Sequence, residues 1–437
     1  MRPAQRLNRV VVFHLMLRSL ALATLFFGSA VTARDAAPSR DRRHVPAVAH
    51  ARLPHVAPES VGMSTARLAR IDEVVRRGIS AGGFPGAAVV VGRHGAIVWE
   101  RGYGTLDWQS GVTVDAGRTM YDLASLTKVV ATTAAAMVLV DRGKLRVDER
   151  VSRYLPEFSG GGKDAITIRD LLMHRSGLPA GRDLPGRGAR SEAARRAVLA
   201  THLVRPPRSA TEYSDLGLDV MGFVIERITG EPLDEFARRA VYGPLGMRST
   251  MFRPAAALRA RIAPTTTNDA RGEVHDGNAR ALGGVAGHAG LFSTAGDLAV
   301  FAQLMLDGGV AGSTRLFADT IARAFTQPGP DWRGLGWLTC PGDGSCGQYL
   351  SSRAFGHTGF TGTSIWIDPE RDLFVIVLTN WIYGRASGGV APAGIVQDVR
   401  SDVVDLAALS INDGGKELSP PWRLRSELQN GWWGGNE

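Results

Sequence analysis

The sequence predicts a mixed α/β (α+β) fold, an antiparallel sheet flanked by helices with an inserted, mainly helical subdomain. Three observations lead there. Strand-like runs lie near both ends of the chain, and helical patterns fill the span between them. Strands so distant can share a sheet if the middle, roughly residues 119–285, is looped out as an insertion. The chain is also 44% hydrophobic, enough for a true core and too apolar for a disordered chain.

The elements follow in order. Ser64 caps a helical pattern with Leu68, Ile71, Val75 and Ile79 on one face. Residues 86–92 and 96–101 are β-rich, and Arg93-His94-Gly95 between them reads as a hairpin turn. Residues 123–142 are rich in Ala and Val and poor in polar groups, which predicts a buried helix. Further helices are expected over 164–174 and 214–229, with Gly-, Pro- and Arg-rich loops at 177–192 and 204–212. Residues 361–367 and 373–379 read as strands joined by a turn at 368–372, and 391–410 as a closing helix. The domain therefore runs over 54–412, and 413–437 is a Gly-, Pro- and Trp-rich tail.

Charge is unevenly placed. The formal net charge is +9 over 437 residues, yet residues 1–53 hold nine Arg and two Asp, leaving 42 basic and 40 acidic residues for the rest. A nearly neutral body removes the usual argument for nucleic acid as a partner. The basic segment reads instead as an export signal. Arg2, Arg6 and Arg9 precede an apolar run at 19–27, and Val31-Thr32-Ala33 offers small residues for cleavage. This gives a signal peptide at 1–33, a linker at 34–53, and an exported product, periplasmic or secreted. The alternative is an uncleaved leader spanning 10–31, interrupted by His14 and Arg18, and that is the only membrane contact expected. Cys340 and Cys346 are the only cysteines; they either close a small disulfide loop after export or are two unrelated thiols.

Three short motifs carry chemistry. In Ser125-Leu126-Thr127-Lys128 the hydroxyl and the ammonium share one helical face. Serine needs a neighbouring base to become a good nucleophile, and a lysine serves if burial and neighbours favour its neutral form. The chain has four lysines, at 128, 144, 163 and 416, and only Lys128 has Ser three residues before it. If Ser125 opens the helix, its amide points to where an oxyanion would form. Tyr213-Ser214-Asp215 precedes an apolar helix; a tyrosine can shuttle a proton, while Asp215 can simply cap that helix. Gly356-His357-Thr358-Gly359 lies just before the 361–367 strand, where small residues let a substrate backbone lie close and Thr358 can bind a carboxylate.

In this order the three motifs resemble the serine β-lactamase and penicillin-binding-protein superfamily. The chain is most similar to the class C β-lactamase-like branch, whose middle motif begins with Tyr, over roughly residues 56–410. The stretches 171–178, 287–295 and Gly334-Leu335-Gly336-Trp337 support this, and 274–288 is particularly similar to members named as D-alanyl-D-alanine carboxypeptidases or esterases. The resemblance implies a β-lactamase/transpeptidase-like fold. It makes Ser125 the acylated nucleophile, Lys128 its activating partner and Tyr213 the proton carrier. The amides of Ser125 and Phe360 would form the oxyanion hole, with Asp215, His357, Thr358 and Gly359 lining the substrate.

Two departures matter. The branch usually has Asn where this chain has Asp215, and Lys where it has His357, a weaker, titratable cation. Both point away from an efficient β-lactamase and toward an acyl-enzyme hydrolase of D-alanyl peptides or small esters, needing no cofactor and no metal. The alternatives are a low-efficiency class C-like β-lactamase and a non-catalytic binding module. His174 is expected to be structural, His288 to contact substrate from a Gly-rich loop, and His275 with Asp276 to lack a third metal ligand.

Overall fold

The computed structural model describes residues 53–186, 191–268, 270–340, 344–386, 393–413 and 424. The leader, nearly all of the linker, and the tail apart from Asp413 and Leu424 lie outside the described residues.

The first hairpin pairs β1 (Gly86–Arg93) with β2 (Ala96–Gly104). Its turn residues His94 and Gly95 have φ of 51° and 79°. Two successive positive φ values give the primed turn whose twist matches a β-hairpin. β3 (Tyr121–Asp122), β4 (Met251–Phe252) and β5 (Leu291–Ser293) make a small sheet in the order β3-β5-β4. β6 (Val310–Ala311) and β7 (Thr314–Arg315) form a separate ribbon. β8 (Leu338–Thr339), β9 (Phe355–Gly359), β10 (Thr363–Asp368) and β11 (Leu373–Thr379) complete the main sheet. Its order is β2-β1-β11-β10-β9-β8, and every neighbouring pair is antiparallel. The two chain ends thus share one sheet, with the helical middle inserted between β2 and β8.

Alternation along the central strands divides the core in two. Phe374, Ile376 and Leu378 of β11, with Ala88 and Val90 of β1, face the helical insertion. Leu373, Val375 and Val377, with Ala87, Val89 and Val91, face the terminal helices Arg70–Ser80 and Ala393–Leu409. Ser64 caps Thr65–Leu68, a short helix that breaks at Ala69 before Arg70–Ser80 begins. The unanticipated helix Ala295–Leu306 packs on β11 from the insertion side.

The expected 123–142 helix is built in three parts. A 3-10 turn, Ala124–Leu126, leads into a π-type turn, Lys128–Thr133, and then into the α-helix Ala134–Asp141. Although apolar enough to cross a bilayer, the 124–141 stretch is 83% buried within the protein and is a core helix. The Gly356-His357-Thr358-Gly359 motif, placed before a strand by the sequence, is itself strand β9. Cys340 and Cys346 are joined as a disulfide.

Candidate active site

Ser125 sits in the tight turn that opens the core helix and is partly exposed. The residue before it, Ala124, has φ of 47°, a left-handed conformation that costs a residue with a Cβ about 1 kcal/mol or more. The Ala124 amide donates to Asp122 Oδ1 at 2.9 Å, which holds that conformation. Asp122 is fully buried, and burial raises its pKa to about 6 despite amide donation from His275 and Ala124.

One turn on, Lys128 is completely buried. Its Nζ lies 2.9 Å from Ser125 Oγ, 3.3 Å from the His288 carbonyl oxygen and 2.7 Å from Asp215 Oδ1. Burial alone would favour the neutral amine, but Tyr213 and Asp215 outweigh it and hold the lysine pKa above its ordinary value. Lys128 is therefore an ammonium at rest, so the condition for a neutral lysine base is not met. The reason is Tyr213 together with the Asp215 carboxylate, which acts as a counter-ion. The helix cap is Ser214, whose Oγ accepts from the Gly217 amide at 3.3 Å.

Tyr213 stands at the centre of the remaining groups. Its ring centroid is 4.8 Å from Lys128 Nζ, 4.6 Å from the His174 ring and 6.1 Å from the His357 ring. Both histidines are buried. Burial, reinforced by Lys128 and Arg333, lowers the His357 pKa to about 3. His357 is consequently a neutral imidazole, not the titratable cation the sequence suggested. Its Nδ1 lies 2.7 Å from the Thr358 carbonyl oxygen, so Nδ1 carries the proton and Nε2 is left as an acceptor. His174, expected to be purely structural, borders the site: its Nδ1 accepts from the Ser214 amide at 3.0 Å and fixes the tyrosine motif. Burial drives its pKa well below the ordinary histidine value.

His288 does not face substrate. Its Nδ1 lies 2.7 Å from Asp219 Oδ1 and its Nε2 3.0 Å from Asp276 Oδ1, so both ring nitrogens are engaged. Burial opposes a charge on this ring, but the two carboxylates prevail and raise its pKa well above normal. His288 acts on the site through its carbonyl, which receives Lys128.

A clamp holds the segment that carries Phe360 against the turn that carries Ser125. Thr361 Oγ1, in the turn between β9 and β10, donates to the Asp122 carbonyl at 2.7 Å, and Thr363 Oγ1, at the start of β10, donates to the Leu123 carbonyl at 3.0 Å. A Cβ at Gly359 would lie 2.3 Å from the Leu123 carbonyl oxygen, so only glycine permits this approach. Arg400, from the closing helix, donates to the Gly359 carbonyl at 2.7 Å. Phe360, 57% exposed, therefore stands beside the Ser125 turn, its ring stacked 6.0 Å from that of His275.

Comparison with known proteins agrees with this arrangement. The profile of the family described as Beta-lactamase matches residues 71–399. The chain belongs to the β-lactamase family. A Salmonella gallinarum protein named "Putative D-alanyl-D-alanine carboxypeptidase" is 35% identical over 378 residues, 76% of this chain and 87% of that protein. A Bacillus subtilis protein named "N-acetylmuramyl-L-alanine amidase" is 36% identical over 369 residues, 74% of this chain and 82% of its own length. Among solved structures, EstCE1, described as a hydrolase with promiscuous acyltransferase activity, superposes with a TM-score of 0.63 at 25% identity, covering 78% of this chain and 98% of that one.

The motifs named Ser125, Lys128 and Tyr213, which the structure brings together, but the sequence did not point to several residues that surround them. Asp219 lies four residues after Asp215 on one helix face, a spacing visible in sequence. That face aims one carboxylate at Lys128 and the next at His288. Thr361, Thr363, Arg333 and Arg400 gave no local signal, because their roles depend on contacts between distant segments.

Proposed function

We propose that this chain is an exported serine hydrolase that cleaves amide or ester bonds through an acyl-enzyme on Ser125, with D-alanyl peptides as its preferred substrates. The observation that carries the reading is the buried Lys128 ammonium, 2.9 Å from a partly exposed Ser125 Oγ. Ser125 attacks the carbonyl carbon. Tyr213 takes the serine proton as it gives its own to the leaving group, so no net proton is needed. The Lys128 charge stabilises the oxygen from which the proton departs, and the Ser125 and Phe360 amides hold the oxyanion. Water then releases the acid by the reverse path.

Three further observations support the finer reading. The relatives' names concern cell-wall amide bonds. A cavity of about 900 Å³, lined by His275, Asn278, Arg253 and Arg280, adjoins Phe360 through His275 and has room for a peptide-sized acyl part. The Cys340–Cys346 disulfide suits an oxidising compartment, in keeping with the expected leader.

The test is a substrate panel of a D-Ala-D-Ala peptide, a short-chain p-nitrophenyl ester and a cephalosporin. The reading expects turnover of the peptide and the ester, slow turnover of the cephalosporin, and loss of all three in Lys128→Ala. Undiminished turnover in Lys128→Ala overturns it.

A further inference from the structure

One buried acid beside the nucleophile has no part in the proton transfers described above. Asp122 ends β3, three residues before Ser125. Its two carboxyl oxygens serve two different segments. Oδ1 accepts from the Ala124 amide at 2.9 Å, and Oδ2 accepts from the His275 amide at 2.7 Å. An ionised carboxylate accepts at both atoms; once it is protonated, or replaced by Asn, one of the two becomes a donor facing a donor. The first bond holds the left-handed Ala124, with φ of 47°, and so aims the Ser125 side chain and amide. The second holds the 274–276 segment, which touches the other parts of the site. The His275 ring stacks on that of Phe360 at 6.0 Å. Asp276 Oδ1 lies 3.0 Å from His288 Nε2, and the His288 carbonyl accepts from Lys128 at 3.3 Å.

We propose that Asp122 is a positioning residue for acylation, keying the Ser125 turn to the 274–276 segment so that nucleophile, ammonium and oxyanion amides are aligned before substrate arrives. This rests on the acylation reading above. Asp122 moves no proton and touches no substrate; it acts through the Ala124 and His275 amides. Alignment of this kind matters because a displacement of about 1 Å can cost about 100-fold in rate. The ionised form is the one that holds both segments, and burial raises the Asp122 pKa to about 6. The charged and titratable groups that neighbour it are Asp276, Arg280 and His275, while β5 and the β9–β10 turn bring Phe292 and Thr361, which do not titrate. Burial opposes the charge on Asp276, but its bond to His288 holds it well below the usual carboxylate range. Burial, with Arg280, lowers the pKa of His275.

The experiment compares Asp122→Asn with wild type, the fold of each checked by circular dichroism. Fluorophosphonate labelling and kcat/KM for p-nitrophenyl acetate should fall together by about 100-fold, since both report attack by Ser125. Adding Ala124→Gly, which takes a positive φ without strain, should recover about fivefold, a gain that a merely destabilised protein would not show. In wild type, kcat/KM should decline as pH drops through about 6. His275→Gln keeps its amide and should retain that decline, and Asp122→Asn should lack it. Wild-type rates in Asp122→Asn, a loss that Ala124→Gly leaves untouched, or a decline missing from wild type or from His275→Gln overturns the proposal. Should Asp122→Asn not fold, the pH profiles of wild type and His275→Gln decide the matter. Failure of the acylation reading is recognised separately: wild-type protein would then resist the fluorophosphonate at every pH.

Discussion

Asp215, with Tyr213, sets the resting state of Lys128. At 2.7 Å from Nζ its carboxylate stabilises the ammonium that burial opposes. Asp215→Asn should lower stability by about 1–3 kcal/mol, allowing for the partial exposure of the carboxylate. The same variant gains an amide donor toward a substrate carbonyl, so acylation by a fluorescent penicillin should quicken relative to wild type. Unchanged melting temperature and labelling rate would contradict this account of the pair. His357 makes a second residue-level prediction. Its folded pKa is about 3, against about 6.5 unfolded. Between those values the unfolded chain binds a proton that the folded chain refuses. Stability therefore is complete above about pH 6.5 and falls as pH drops toward 3. In urea unfolding, His357→Gln should show a shallower decline from pH 6.5 to 4 than wild type; equal slopes would contradict the buried neutral ring. Ser125 and Lys128 were legible in the sequence because they are three residues apart on one turn. The ionisation of Lys128 and of His357 was not, because Asp215 and Arg333 reach them from elsewhere in the chain.

Two elements meet beside Ser125, the turn opening the core helix and the β9–β10 turn. The Thr361 and Thr363 hydroxyls join them. A double Thr361→Val, Thr363→Val variant loses two hydrogen bonds of about 1 kcal/mol each. Because an oxyanion hole acts chiefly in the transition state, kcat should fall about tenfold or more while KM stays near wild type. A change confined to KM would show that the clamp serves binding instead. The hairpin β1–β2 and strand β11 were readable from their β-rich runs and turn residues. Ala295–Leu306 was not, being apolar all round with no polar stripe to reveal its period. β9 escaped because Gly, His and Thr in a row carry little strand signal, and its place in the sheet comes from pairing with β10.

The described domain is a sheet assembled from its two ends around a helical insertion. The strands at each end and the helical middle made that topology legible before any coordinates. What composition could not show is how the ends are secured. Buried Arg93, at the end of β1, donates to Asp413 Oδ1 at 2.9 Å, tying the first hairpin to the end of the domain. The Cys340–Cys346 disulfide closes a short loop on the same half of the fold, where both cysteines join the core beneath the terminal helices. Reduction should cost about 2 kcal/mol by loop-closure entropy, read as a lower urea midpoint in dithiothreitol; an unmoved midpoint would contradict a structural disulfide. The central claim concerns a single covalent bond, and mass spectrometry with peptide mapping reads it directly. After exposure to a fluorophosphonate, the wild-type protein should carry one adduct on Ser125, absent in Ser125→Ala and formed at least about 100-fold more slowly in Lys128→Ala. An unmodified wild-type protein, or an adduct that persists in Ser125→Ala, would contradict it.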